Sequence, residues 1–374
     1  MPDTADKRTG SLDSWRRVRH LRILSPILNR LIYPFLGASG YFRRHAGQPT
    51  VLTYHGVIPE EYHPRDCLLD SHLHRAKVFR DELRVLKTHY SIISPEQFLA
   101  WLEGNTDLPK GAVLLTCDDG LLNAVTDMLP ILLDEQVPCL FFVTGDFLTG
   151  EPQMLWYEEL YLMFKGSQVR KFLFCFESAP LTFELSSPEV KATVWWGLVK
   201  RLSRMDGRQR ATSMAQIGAK LELDNNWRSR YLNDAILRRR FALISASDVH
   251  QLVRAGMSVG SHTLSHPLLR EQTQEIAWME LDQGRRAFER ALGLPAWALA
   301  YPFGGPDAVG QREFQMAERA GYRCAFVNYG GAVRKDSCHF ALPRIHIAGD
   351  VKLSSFEAYA SGFHSAFRTR FKRT

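Results

Sequence analysis

A chain of 374 residues that is 45% hydrophobic, 11% aromatic and 23% charged can bury a sizeable core, which excludes a disordered, fibrous or collagen-like protein. Its net charge of +7 comes with no aromatic-basic platform or recognition motif, so nucleic-acid binding is not expected. Six cysteines without a C-x-x-C pair, several of them inside apolar runs such as Pro138 to Phe142, exclude a disulfide framework and read as buried thiols of a reducing compartment.

Met1 to Gly10 is polar and lacks an export core, so a cytoplasmic location is expected. Leu21 to Phe42 is apolar, but Arg22, Pro26, Asn29, Arg30 and Pro34 interrupt it too often for a spanning helix. Residues 15–44 admit two readings: a peripheral contact with a membrane surface, arginines toward the headgroups, or a helical arm packed on the domain. Residues 1–48 are set apart as this basic, apolar arm. The clusters Arg16-Arg17, Arg43-Arg44 and Arg238-Arg239-Arg240 and the tail from Arg368 to Arg373 are expected to be solvated basic surface.

Val51 to Tyr54 is a β-rich run that opens into a loop at His55-Gly56. Phe79 to Thr88 has helical spacing, and Ser94-Pro95-Glu96-Gln97 is a helix start. A strand over Gly111 to Thr116 halts at Asp118-Asp119-Gly120; a helix through Leu129, Ile131 and Leu132 and a strand over Cys139 to Thr144 follow. Strand alternating with helix at this pace predicts parallel β/α architecture, with the first part of a barrel over residues 49–150. Residues 151–245 break the rhythm, and their tryptophans, arginines and helical spacing predict a mostly helical insertion. The rhythm returns over residues 246–374, which supply the second part of the barrel and a basic tail. There the pattern predicts helices at Ser247–Ala255, Glu271–Leu292 and Gln311–Ala320, and strands at Met257–Gly260, Trp297–Tyr301 and Cys324–Val327. A barrel of such units collects its strand ends on one face, where sites form.

Chemistry-bearing residues cluster at those ends. Two adjacent carboxylates, Asp118 and Asp119, are costly to bury after an apolar strand unless a cation compensates them, and Gly120 permits a sharp turn. Taken alone, Asp-Asp-Gly is equally an ordinary turn. His262 and His266, four apart and directly after a strand, can converge on one ion, although local hydrogen bonds can satisfy such a pair as well. Two histidines and one carboxylate suit zinc or another divalent transition metal (cobalt, nickel or manganese) in a hydrolytic site with open positions.

Thr116-Cys117-Asp118-Asp119-Gly120, His262-Thr263-Leu264-Ser265-His266 and Ala300-Tyr301-Pro302-Phe303-Gly304, in this order, resemble the three motifs of the polysaccharide deacetylases of the NodB-homology group, carbohydrate esterase family 4. The resemblance implies an α/β fold, a distorted (β/α) barrel of the NodB-homology type, and metal-dependent hydrolysis of the N-acetyl group of an amino sugar in a glycan or lipid-linked precursor. It implies that Asp119, His262 and His266 bind the metal, that Asp118 is the general base, and that the backbone N–H of Phe303 helps hold the oxyanion. Three departures stand out: Cys117 replaces the usual phenylalanine, Phe303 a tyrosine, and Ala300 the arginine that steadies the base. Arg344 is a candidate substitute and, with Tyr301 and Pro302, is expected on the substrate side. The general acid has two candidates. His346 lies near the expected C-terminal place, whereas His55 matches members with a circularly permuted barrel. His55 is favoured because it ends a strand and precedes Gly56. Two other readings stay open: a glycan-binding homologue without catalysis, and an amidohydrolase acting on a formyl group or another small amide. Oligomeric state is not legible.

Overall fold

The computed structural model describes residues 27–63, 66, 68–150, 153–176 and 180–372. Cys67 and the part of the 15–44 segment before Ile27 lie outside the described residues.

Thirteen strands are found among them: β1 (Thr50–Tyr54), β2 (Val57–Ile58), β3 (His74–Arg75), β4 (Ser91–Ile92), β5 (Ala112–Cys117), β6 (Leu140–Val143), β7 (Lys171–Cys175), β8 (Pro180–Glu184), β9 (Ser258–Ser261), β10 (Ala298–Ala300), β11 (Cys324–Val327), β12 (Leu342–Pro343) and β13 (Ile345–His346). Eight of them form one parallel path in the order β12-β11-β10-β9-β6-β5-β1-β13, and β4 joins the lower part of β5. The two ends of this path, β12 and β13, are consecutive in the chain and separated by Arg344 alone. The sheet is thus a nearly closed barrel surrounded by helices, with its seam at one arginine.

Burial explains why these runs are strands. Alternate residues fall into two apolar clusters: Val51, Leu114, Leu140, Phe142, Ala298, Ala300 and Phe326 in one, and Leu52, Val113, Leu115, Phe141, Leu299 and Val327 in the other. The period of two is that of a pleated strand whose two faces are both buried, one inside the barrel and one under the helices. Small residues keep the interior passable for large ones. A Cβ on Gly260 would sit 2.7 Å from the Phe142 ring.

The expected elements are found with ends shifted by a residue or so. Pro95–Leu102 starts on a capping box in which Ser94 and Gln97 satisfy each other's backbone N–H groups. One expectation is corrected in detail: the helix expected over Glu271–Leu292 starts at Gln274 and contains a π turn at Met279–Gln283. The segment from 153 to 245 carries helices at Trp156–Gly166, Pro188–Leu202 and Gly207–Lys220, but also the antiparallel hairpin β7–β8. Its alternation is visible in Lys171-Phe172-Leu173-Phe174, where Phe172 and Phe174 are buried and their neighbours exposed.

The basic-surface expectation is also corrected at Arg240, which is fully buried. It donates to Asp70 at 2.7 Å, to both oxygens of Glu158 at 3.1 and 2.9 Å, and to the Leu69 carbonyl at 3.0 Å. Arg239 pairs with Asp127 and Glu61. Of the thiols, Cys117, Cys139 and Cys324 are buried as expected, but Cys175 and Cys338 are exposed.

The described part of the N-terminal arm is helical and packs on the C-terminal helices. Tyr33 is enclosed by Phe42, Tyr359 and Phe363, and Arg43 makes a two-pronged ion pair with Glu357 at 2.8 and 3.1 Å. No helix among the described residues is long and apolar enough to cross a membrane.

Candidate active site

Strand ends bring the chemistry together. β5 delivers Asp118 and Asp119, β9 delivers His262, and the loop after β9 returns His266 to the same point. The ligand atoms of Asp119, His262 and His266 all lie within 4.8 Å of one another, and all three residues are buried. Nε2 of each histidine is 3.4 Å from the same Asp119 oxygen. His262 Nδ1 faces the Ala300 carbonyl at 2.8 Å, so it carries the proton and leaves Nε2 as a lone-pair donor toward the cluster. Burial raises the Asp119 carboxyl, but the facing imidazoles of His262 and His266 outweigh it and hold it well below its usual range. The donor set fits a divalent ion: one anionic oxygen and two imidazole nitrogens converge in a dry site with one histidine tautomer already fixed.

The backbone is bent to achieve this. Asp119, Thr263, His266 and Phe303 have φ of 75°, 64°, 52° and 61°, and among the described non-glycine residues only Gln136 and Glu222 share that region. Left-handed backbone is unfavourable for side chains with a Cβ, so its concentration here requires support. Glu280 supplies it. From inside the π turn its carboxylate accepts the backbone N–H groups of Leu264 and Ser265, each at 2.9 Å, and the Ser265 hydroxyl at 2.6 Å. The π turn in this helix thus carries a carboxylate under the His262–His266 loop.

Asp118 meets Arg344, which donates to its two oxygens at 2.7 and 2.6 Å. Arg344 also reaches Thr116 Oγ1 at 3.2 Å and lies over the rings of Phe142 and Phe326, inside the barrel. Burial raises the Asp118 carboxyl, but the Arg344 guanidinium and His262 outweigh it, so it is held below the usual range. Arg344 reaches Asp118 from the barrel seam. The expectation that Arg344 contacts substrate is corrected, since its side chain is fully buried. Tyr301 is corrected too: its ring lies in the core and its hydroxyl donates to the Phe340 carbonyl at 3.0 Å. Pro302 is buried, and its carbonyl accepts the Gly304 N–H at 2.6 Å, so it shapes the turn that presents Phe303. The Phe303 ring stands 4.9 Å from His266, and its N–H makes no backbone hydrogen bond among the described residues.

His55 and His346 are neighbours, with ring centroids 5.0 Å apart, because β1 and β13 pair in parallel with Thr53 opposite His346. A third imidazole, His72, has its ring centroid 5.2 Å from that of His55. His55 Nδ1, His72 Nε2 and His346 Nε2 are buried without a hydrogen-bond partner. Burial, then the proximity of His55, pushes His346 down to about 3, which leaves it a neutral imidazole at ordinary pH.

A family model described as polysaccharide deacetylase matches residues 220–325, the stretch that carries His262, His266 and the Tyr301–Gly304 turn. The Bacillus subtilis (strain 168) protein YxkH, named as a polysaccharide deacetylase, is 23% identical over 116 residues, which is 31% of this chain and 40% of that protein. Both likenesses are to polysaccharide deacetylases. Among solved structures, the Streptococcus pyogenes deacetylase PplD in complex with acetate aligns with a TM-score of 0.54 and 16% identity over 84% of this chain and 98% of that one. A de-N-acetylase from Aggregatibacter actinomycetemcomitans aligns at 0.51 with 14% identity over 83% and 99%, and IcaB from Ammonifex degensii at 0.50 with 16% identity over 84% and 97%. At these identities the likeness is one of fold, the distorted (β/α) barrel.

In this chain the segment after residue 150 does more than edge the site. Tyr157, at the start of the helix Trp156–Gly166, donates its hydroxyl to Asp119 Oδ2 at 3.2 Å, and Trp156 Nε1 donates to the His266 carbonyl at 3.2 Å. The next residue, Glu158, belongs to the buried Arg240 pair, which locks that helix against Leu69 and Asp70. Neither Tyr157 nor Glu280 is suggested by any motif, because each is aimed at the site only by tertiary packing. Tyr157→Phe is expected to weaken divalent-metal affinity about 10-fold, the lower end for an outer partner of a ligand. Metal titration monitored by calorimetry tests this, and unchanged affinity would release Tyr157 from the role.

Proposed function

We propose that the protein is a metal-dependent deacetylase that removes the N-acetyl group of an amino sugar in a glycan or a lipid-linked precursor. The observation that carries this reading is the convergence of Asp119, His262 and His266 beside a second buried carboxylate, Asp118, held by Arg344. Similarity to polysaccharide deacetylases supports the reaction class, hydrolysis of an amide bond. A divalent ion held by Asp119, His262 and His266, with zinc the first choice and cobalt, nickel or manganese also compatible, supplies Lewis acidity toward water and the acetamide carbonyl.

The protein's own groups divide the proton work. Asp118, ionised and fixed by Arg344, takes the proton from the water whose oxygen bonds to the carbonyl carbon. The Phe303 N–H is placed to donate to the oxygen that gains charge. The C–N bond then breaks, and the leaving amine takes a proton from the histidine wall. His55, which ends β1 and precedes Gly56, is the first choice for this role, with His346 beside it the second. The ion pair of Arg344 with Asp118 also weakens the case for a catalytically silent homologue, which rested on the arginine missing at Ala300.

Purified protein is expected to bind about one divalent ion per chain by elemental analysis and to release acetate from N-acetylglucosaminyl oligomers. A chelator should abolish release and added zinc or cobalt restore it. Metal bound without acetate release from any acetylated sugar would sink the reading, and formate release from an N-formyl sugar alone would redirect it.

A further inference from the structure

We infer that the outer face of the N-terminal helices is a docking surface for an anionic lipid membrane. The inference is independent of the deacetylase reading. Its first support is exposed apolar area in one place. Among the described residues nine large hydrophobic side chains are exposed, and four of them fall between residues 27 and 35: Ile27 at 48%, Leu31 at 67%, Ile32 at 41% and Phe35 at 74%. The inner face of the same segment is already satisfied, since Leu28, Tyr33 and Phe42 are buried with Ala358 against Tyr359 and Phe363. A helix that packs on one side only carries polar residues on the other. Here the outer side carries phenylalanine, leucine and isoleucine, with Arg30 and Arg44 exposed beside them.

Charge is the second, separate support. From Ser14 to Pro59 the chain has seven arginines (16, 17, 19, 22, 30, 43 and 44) and no acidic residue. From Ala358 to Thr374 it has Arg368, Arg370, Lys372 and Arg373, again with no acid. These two segments hold 11 of the 47 basic residues, leaving 36 bases against 40 acids in the rest of the chain. The protein apart from them is net negative, and of these arginines the described Arg30, Arg43 and Arg44 lie on the helices that pack against Phe363 through Tyr33. Glu357, which borders them, is taken up by Arg43.

The two supports together select the partner. An isologous contact with a second copy would set arginines against arginines with no acid to answer them. A membrane surface answers both: anionic headgroups receive the arginines, and the acyl boundary receives Leu31 and Phe35. With no described helix able to cross, the segment lies along the surface.

Co-sedimentation of the full chain with vesicles tests this. Binding is expected to phosphatidylcholine vesicles containing about one third phosphatidylglycerol, to weaken with added salt, and to be slight with phosphatidylcholine alone. Leu31→Ser combined with Phe35→Ser should lower partitioning at least about 10-fold. A matched control, Leu173→Ser on the distant exposed β7 position, should leave it unchanged. The double variant keeps its inner face, so its thermal melt and any acetate release from soluble oligomers should match the parent. No binding to anionic vesicles, binding indifferent to lipid charge, or undiminished binding of the double variant would each overturn the inference. So would a concentration-dependent dimer, abolished by the double variant, that binds no vesicles.

Discussion

Asp118→Asn is expected to lower acetate release by about 10²- to 10⁴-fold while the protein still carries its divalent ion. Asparagine keeps the shape of the side chain but cannot take a proton from water. The replacement also removes one partner of a buried, two-pronged ion pair with Arg344. Stranding the guanidinium inside the barrel should cost about 3–5 kcal/mol of stability, visible in a urea melt. Metal content separates chemistry from misfolding, because Asp119, His262 and His266 are untouched in a folded variant. An Asp118→Asn protein as active as the parent would remove Asp118 from the base role.

Arg344→Met should act on the same pair from the other side. It leaves Asp118 buried with no countercharge from the seam, again at about 3–5 kcal/mol. Burial, which the guanidinium now outweighs, would then dominate, and the Asp118 carboxyl would rise. In the parent this carboxyl sits below its unfolded value. Its contribution to stability is therefore present above the ordinary carboxylate range and is lost as pH falls through the folded value. The stability gap between parent and variant should be widest near neutral pH and narrow in acid. The acid limb of the pH–rate profile should move to higher pH, since the base must be ionised to act. Arg344→Lys, which retains the charge but not the fork, should shift it less. An acid limb that stays in place would show that Arg344 does not tune Asp118.

What could be read from residue order alone was set by how local the constraint is. The parallel β/α rhythm was legible because each strand is buried on both faces and each is short and apolar. Asp118-Asp119 and His262 with His266 were legible because polar residues that close apolar runs stand out. Arg344 was visible as a candidate, yet its target was not: the contact with Asp118 spans the barrel and depends on the seam. Tyr157 was hidden for a stronger reason. It lies in a tryptophan-rich stretch that looks like any amphipathic helix, and only the buried Arg240–Glu158 pair aims it at Asp119. Arg240 itself was misread, because three consecutive arginines look like surface until one of them finds Asp70 and Glu158. The π turn that presents Glu280 leaves no mark on periodicity, since one extra residue in a turn is absorbed by the neighbouring helices.

The seam carries a temporal meaning. Chains emerge from the ribosome amino end first, so Asp119, His262 and His266 are all available before residue 344 appears. A nascent chain can assemble the ion-binding cluster at that stage, but its sheet is open and its Asp118 has no tether. Arg344 arrives between the two strands that bring the sheet's edges together, so finishing the barrel and fastening the base are one event. On the proposed function, a product truncated before Leu342 is expected to show little or no acetate release, because its base would lack the guanidinium that holds it.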